Sequence, residues 1–416
     1  MTDDPRPSDR RTLWIALASL GVVVVLLVVF ERFLFLPKIL SIVLIVLAAA
    51  LTGKIKPLLR DWFVFMAFAY LFDSLRGSIY ILTCKLQLPV RALYVLNTER
   101  ALFGGVPSVA LQKLLLRPDS LGNFGWLEKV LTVCYGSHFI AFLSVGFLIW
   151  VVRPKDFPTF RTSFYFLIFV GVLIYALVPT VPPWMAADQF GLLPSLTRFN
   201  AALFNFAIPD LSNGFDTNPV AAMPSLHAGF PILCSLLLAR LFGRKALPFH
   251  LYTLAILFTV VYTGDHYVTD VLAGAALAVG SYVAAVRIGQ RPGPAEAVGP
   301  SGAAEPQALK RRFLLGLGVL LAGVAIGGAN KTEFGMRANS YGLDVPRYVD
   351  FFRDPDRYKD SYPVQAYFGR HFLARNEYRT ALGYLEASLR LARTPKETQE
   401  ARANIGFCRH ILGLRN

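Results

Sequence analysis

The sequence reads Met223-Pro224-Ser225-Leu226-His227 near one end of the stretch 222–274 and Gly264-Asp265-His266-Tyr267-Val268-Thr269-Asp270 near the other. Two apolar runs of roughly membrane length, 227–243 and 246–263, lie between them, and a third begins at 268. Two histidines and an aspartate at the ends of membrane helices are costly unless they are used. The stretch therefore predicts an all-α, polytopic membrane protein with one site where these helix ends meet.

Local chemistry supports that expectation. Pro224 ends an extended segment, and Ser225 is suited to N-cap the helix that follows. His227 then falls in the first turn, where free backbone N–H groups and the helix dipole attract a phosphate. A protonated histidine there can donate to an oxyanion or a leaving group. His266 and Asp270 are four residues apart, on one helical face. The carboxylate can hold one imidazole nitrogen as a donor and leave the other as nucleophile or base. Tyr262, Thr263 and Asp265 add polar groups at the same boundary. A single interfacial histidine would need no function; two with an i+4 aspartate point to a catalytic set. A metal site is the rival use of these residues, but no third strong ligand has helical spacing to them.

Composition agrees with a membrane setting: 55% of the 416 residues are hydrophobic and only 17% are charged. The net charge of +15 does not form one basic stripe, which argues against nucleic acid as a partner. Nine stretches are long and apolar enough to span, at about 13–30, 33–53, 62–82, 128–152, 162–181, 227–243, 246–263, 268–286 and 312–328. Arg10-Arg11 precede the first, which reads as a retained signal anchor because no small-residue cleavage site follows it. Basic residues lie before span one, after spans two and four, between spans six and seven, and before span nine. With nine spans, all of these fall on the cytoplasmic side. The segments 181–226 and 264–267 then face outward, as does the loop 83–127 despite its five basic residues. Four cysteines show no metal-ligand spacing, and a Cys84–Cys408 disulfide is possible without support.

The domain boundaries expected are an N-terminal tail with two extra spans (1–61), a catalytic membrane core (62–288), a Pro/Gly/Ala-rich linker (289–311), a last span (312–330) and a soluble helical domain (331–416). In that last domain Gly369, Ala381, Leu385 and Ser388 occupy positions resembling a tetratricopeptide unit, with a plain helical hairpin as the alternative. So short a unit needs support from the membrane core or from a protein partner.

The two motifs together resemble the type-2 phosphatidic acid phosphatase superfamily, in the branch that holds inositol phosphorylceramide and sphingomyelin synthases. The resemblance covers about residues 62–286 and implies a six-helix core with a pocket between helices. It also implies roles: His266 attacks phosphorus to form a phosphohistidine, Asp270 orients and charge-balances it, and His227 protonates the leaving alcohol. The chain departs from the phosphatase pattern in its cations. Thr259 and Val260 stand where Ser-Arg is usual, and the segment from Val178 to Trp184 has no basic residue in place of the Lys…Arg-Pro block. A dianionic monoester wants several cations, whereas a diester headgroup needs fewer, which favours headgroup transfer over phosphate removal.

Candidate substrate-binding residues are Ser225, Asp265 and Tyr267 beside the histidines, with Arg76, Arg100 and His138 from elsewhere. Arg76 and Asp73, three apart inside a span, form either part of a pocket or a structural ion pair. His138 lies within the fourth span, and Arg100 on the outward loop. Trp184 reads as an interfacial anchor. Three functions are in contention: a phosphotransferase moving an inositol-phosphate-like headgroup between membrane lipids as donor and acceptor, a lipid phosphate phosphatase, and a non-catalytic lipid-binding scaffold. No metal or organic cofactor is expected.

Overall fold

The computed structural model describes residues 55–117, 123–207, 218–289, 304–339 and 346–414. The N-terminal tail, the spans expected at 13–30 and 33–53 and most of the linker lie outside the described residues.

The seven remaining expected spans are all helices. Helix α1 (Ile55–Lys85) leads to a two-residue strand β1 (Pro89–Val90) and two short helices, α2 (Tyr94–Phe103) and α3 (Pro107–Leu115). Then come α4 (Trp126–Val152), α5 (Phe157–Leu177), the short α6 (Pro183–Asp188) and α7 (Phe199–Ala207). The quoted stretch supplies α8 (Leu226–Phe242), α9 (Leu247–Tyr262) and α10 (Val268–Gly289). Helix α11 (Ala304–Asn339) is followed by β2 (Arg347–Tyr348), α12 (Val349–Arg353), α13 (Tyr362–Leu373), α14 (Tyr378–Leu391) and α15 (Pro395–Ile411). The protein is a multi-pass helical membrane bundle. Five helical runs among the described residues are long and apolar enough to cross a bilayer, and α4 makes a sixth if its two halves count as one span.

One of those runs, Leu226–Tyr262, is continuous by hydropathy. A straight helix of that length would separate its ends by roughly 55 Å. Instead α8 and α9 form a hairpin around Gly243–Ala246, with Ala228 packed beside Ile256 and Val260. The same turn carries Arg244 and Lys245. Arg60, Arg153 and Arg287 lie at this end of their helices as well, so the basic residues cluster at the end of the bundle away from the histidines.

Three helices differ from the expected ones. Helix α5 begins at Phe157 and stops at Leu177 rather than 181, because Pro179 disfavours helical geometry in the residue before it. Helix α11 starts at Ala304 and runs to Asn339, so it takes in part of the expected linker and the start of the expected soluble domain. Helix α4 bends by 51° between His138 and Ile140. There Ser137 Oγ donates to the Cys134 carbonyl at 2.8 Å, and His138 Nδ1 meets the Tyr135 carbonyl. Side chains that hydrogen-bond the preceding turn compete with the helical ladder and bend it.

The bundle core is aromatic. Phe142, Phe164 and Phe230 stack with centroids 5.3–5.6 Å apart, tying α4, α5 and α8 together. Helix α11 lies along α1, with Gly316 against Phe63 and Gly323 against Tyr70, the close approach that small residues allow.

The C-terminal helices dock on the histidine end of the bundle. Strands β1 and β2 pair in parallel, and Asp350 Oδ2 accepts from the Ala92 and Leu93 amides at 2.6 and 3.0 Å. Phe351, Val364, Tyr367 and Phe368 form one buried cluster with Val90, Val181, Met185 and Phe190 of the membrane part. Within the domain, α13 and α14 are a helical hairpin in which Gly369 meets the Leu385 side chain, and Thr394 and Glu397 cap α15 reciprocally. Cys84 and Cys408 are not joined by a disulfide: Cys408 is buried among Leu373, Leu385 and Ile405.

Candidate functional site

Two backbone devices bring the motifs together. Gly264 adopts φ +75°, a left-handed residue that closes α9, and the His266 amide then reaches back to the Val260 carbonyl at 3.0 Å. The chain turns at once, so His266 comes back over the helix end. On the other side, Ser225 caps α8 through Ala228 N at 3.3 Å, and its own amide donates to the Asp270 carbonyl at 2.9 Å. Gly274 permits this approach, since a Cβ there would lie 2.1 Å from the Ser225 carbonyl oxygen. The loop before α8 and the start of α10 are thereby locked.

His227 and His266 meet directly, Nδ1 to Nε2, at 2.9 Å. His227 Nε2 lies 3.2 Å from the Tyr135 hydroxyl, and His266 Nδ1 lies 2.9 Å from the Ala222 carbonyl. A carbonyl only accepts, so His266 carries its proton on Nδ1 and offers a lone pair at Nε2. His227 then donates from Nδ1 and accepts from Tyr135 at Nε2. Asp270 Oδ2 is 3.6 Å from His266 Nδ1, an ion-pair distance beyond hydrogen bonding, and accepts instead from the Tyr267 amide at 2.8 Å. The expected direct orientation of His266 by Asp270 is thus supplied by a backbone carbonyl, with the carboxylate alongside as charge.

The Ala222 carbonyl is itself held. Thr180, fully buried, donates its amide to Val220 and accepts the Met223 amide at 3.0 Å on its hydroxyl. The segment where the phosphatase pattern has cations is here used to fix the segment behind His266.

The other candidates separate into two groups. His138 is brought in: its ring is 4.9 Å from that of His227. Arg76 is within electrostatic reach of His227 and pairs with Asp73 at 3.2 Å. Ser225 is sealed from solvent and occupied as a cap. Tyr267 is fully buried among Val95, Leu96 and Val106, behind the site. Asp265 holds Arg198 at 2.9 Å and accepts from Asn200 and Thr263. Arg100 stays exposed on α2 and donates to the Leu192 carbonyl.

Sequence reading missed three residues. Arg198 lies with its guanidinium 4.4 Å over the Trp184 ring, gripped by Asp265 and within electrostatic reach of His227. Trp184 is a platform for this cation rather than a lone interfacial anchor. Tyr135 stacks on His227 at 5.2 Å. Glu99, next to the residue singled out, is fully buried and accepts the Thr269 amide at 2.8 Å, placing a carboxylate at the start of α10. Burial pushes the Glu99 carboxyl above its ordinary value. A lone basic residue in the loop 181–226, two positions before Asn200, was the only available signal for Arg198.

Among the described residues no group of three or more His, Cys, Asp or Glu side chains is arranged to hold a metal ion. The arrangement presents the lone pair of His266 Nε2 to a second imidazole, with the Arg198 guanidinium held by Asp265 and Trp184 beside them.

Residues 95–284 match the family model described as the PAP2 superfamily. The chain is 30% identical over 260 residues to the inositol phosphorylceramide synthase catalytic subunit of Schizosaccharomyces pombe, covering 58% of this chain and 57% of that one. It is 29% identical over 209 residues to the phosphoinositol dihydroceramide synthase of Bacteroides thetaiotaomicron, covering 46% and 66%. The inositol phosphorylceramide synthase of Candida albicans is 27% identical over 185 residues, covering 40% and 38%. The chain spans less than two thirds of the length of each of these relatives. No solved structure matches it. The family resemblance read from the two histidine motifs is borne out.

Proposed function

We propose, with the PAP2-superfamily match of residues 95–284 as the premise, that this protein transfers an inositol-phosphate headgroup from a phospholipid to a ceramide-like alcohol. The observation that carries the reading is the 2.9 Å contact that aims the His266 Nε2 lone pair at His227.

In the first half-reaction His266 Nε2 attacks phosphorus, an N–P bond forms and the P–O bond to the diglyceride breaks. His227, neutral in the free site, takes up a second proton from water at Nε2 as substrate binds, gives one proton to the departing alkoxide and becomes neutral again. In the second half the acceptor hydroxyl attacks, returns its proton to His227 and displaces His266. Phosphorylated His266 is cationic, and Asp270 beside Nδ1 balances that charge while the Ala222 carbonyl keeps the ring in place. Arg198 and Arg76 are the cations for the phosphoryl oxygens. Two such groups suit a headgroup diester, which carries one negative charge, better than a monoester. The substrate must part the two imidazoles, since the 2.9 Å separation leaves no room for a phosphoryl group between them.

Basic clusters at the far end of the bundle support an extracytoplasmic site with the C-terminal domain on the same side. The test is turnover of phosphatidylinositol labelled in the inositol ring, with and without ceramide. Label moving into a ceramide-linked product supports transfer. Label released only as inositol phosphate, whether or not ceramide is added, refutes it.

A further inference from the structure

A cleft of about 770 Å³ lies where the C-terminal domain meets α2, on the face of that helix turned away from Glu99. Arg91, Arg353 and Arg357 line it, together with Asn97, Tyr94 and Tyr358. We infer that this cleft is a second binding site, separate from the histidines, for a phosphate-bearing polyol headgroup.

Charge carries the argument first. Two carboxylates also line the cleft, but both are engaged by backbone donors: Asp350 takes the Ala92 and Leu93 amides, and Asp354 takes the Arg357 amide. Three guanidiniums against two carboxylates leave the cleft with a net positive charge. Arg91 Nη1 is buried with no hydrogen-bond partner among the described residues, a donor that lacks its acceptor. Guanidinium forks match phosphate oxygens in geometry and charge. Asn97 and Thr98 add groups that pair with hydroxyls, and tyrosine rings suit the faces of a polyol ring.

The rim indicates how the headgroup arrives. Tyr94, Leu102 and Phe103 on α2 are 55%, 61% and 49% exposed, an apolar edge beside a basic cleft. Basic groups next to exposed apolar side chains are what a membrane surface with anionic lipid selects. The same phosphate chemistry occurs on a soluble sugar phosphate, so the test has an arm for each source. Both walls are needed, one from the membrane part and one from the C-terminal domain, which gives that domain a role independent of the catalytic reading.

The experiment is hydrogen–deuterium exchange on the full chain carrying H266A to prevent turnover, in nanodiscs. One arm adds phosphatidylinositol to a phosphatidylcholine bilayer; the other adds soluble inositol 1-phosphate to phosphatidylcholine alone. Exchange over 91–102 and 349–358 should slow by about fivefold in at least one arm. It should stay unchanged in both when R353A and R357A, two exposed positions, are added. Slowing in the bilayer arm alone assigns a lipid headgroup; slowing with inositol 1-phosphate assigns the free ligand chemistry. No slowing in either arm, or equal slowing in the double arginine variant, overturns the site.

Discussion

His227 Nδ1 and His266 Nε2 lie 2.9 Å apart, each imidazole pinned from behind, one by Tyr135 and the other by the Ala222 carbonyl. The Ala222 contact leaves the Nε2 lone pair of His266 free for the nucleophilic role proposed above. The direction of proton flow follows from it, and so do the consequences of disturbing it.

Tyr135 holds His227 by a single neutral hydrogen bond and by stacking. Tyr135→Phe keeps the ring and removes the hydroxyl. A net hydrogen bond of about 1 kcal/mol corresponds to a loss of roughly five- to tenfold in kcat, with KM unchanged. Steady-state kinetics of headgroup transfer checks this; a change confined to KM would show that Tyr135 serves binding instead.

Gly274 faces backbone, not a side chain that can swing away. Gly274→Ala forces apart α10 and the Ser225 loop, at a cost on the order of 3 kcal/mol. Activity should fall by more than tenfold and the thermal midpoint should drop. Gly280→Ala, on the same helix with open space around its Cα, is the control and should do neither.

Arg198 is held by Asp265 and Trp184, and it is one of the two cations proposed for the phosphoryl group. Removing one charge-assisted contact to a phosphoryl oxygen costs about 1.5–3 kcal/mol, so Arg198→Ala should lower kcat/KM by roughly ten- to a hundredfold. Arg198→Lys should recover only part of this, because a point charge replaces a fork.

His371 in the C-terminal domain is buried between Phe352 and Tyr367, and burial with the nearby Arg375 and Arg347 lowers its pKa to about 4 from the ordinary 6.5. Between those values the unfolded chain binds a proton that the folded domain refuses. Stability is therefore full above about 6.5, falls as pH drops through that window and levels below about 4. The loss is on the order of 2 kcal/mol. Exchange rates of amides in 364–373, measured against pH, should rise accordingly, and His371→Phe should flatten the dependence.

Much of this architecture was legible in the sequence. Hydropathy located all seven described long helices, because a bilayer demands apolar length and little else. His227, His266 and Asp270 stood out because titratable side chains at membrane-helix ends are too costly to persist unused. What escaped reading depends on distance in space. Arg198 gained meaning only through Trp184 and Asp265, which are fourteen positions before it and sixty-seven after it. The part expected for the Asp270 carboxylate in orienting His266 fell to the Ala222 carbonyl, and backbone acceptors leave no trace in residue identity. The bend in α4 comes from Ser137 and His138 bonding back along the helix, a local event that apolar periodicity does not record.

The central claim is the covalent step at His266. Its most direct measurement is mass spectrometry of the full chain with His227 intact, quenched after exposure to phosphatidylinositol without an acceptor lipid, so that no alcohol is present to discharge the intermediate. The account predicts an acid-labile phosphoinositol adduct on the peptide containing His266, absent from His266→Ala and discharged when ceramide is added. A His266→Ala protein that still transfers headgroup, or an adduct residing on another residue, would contradict it.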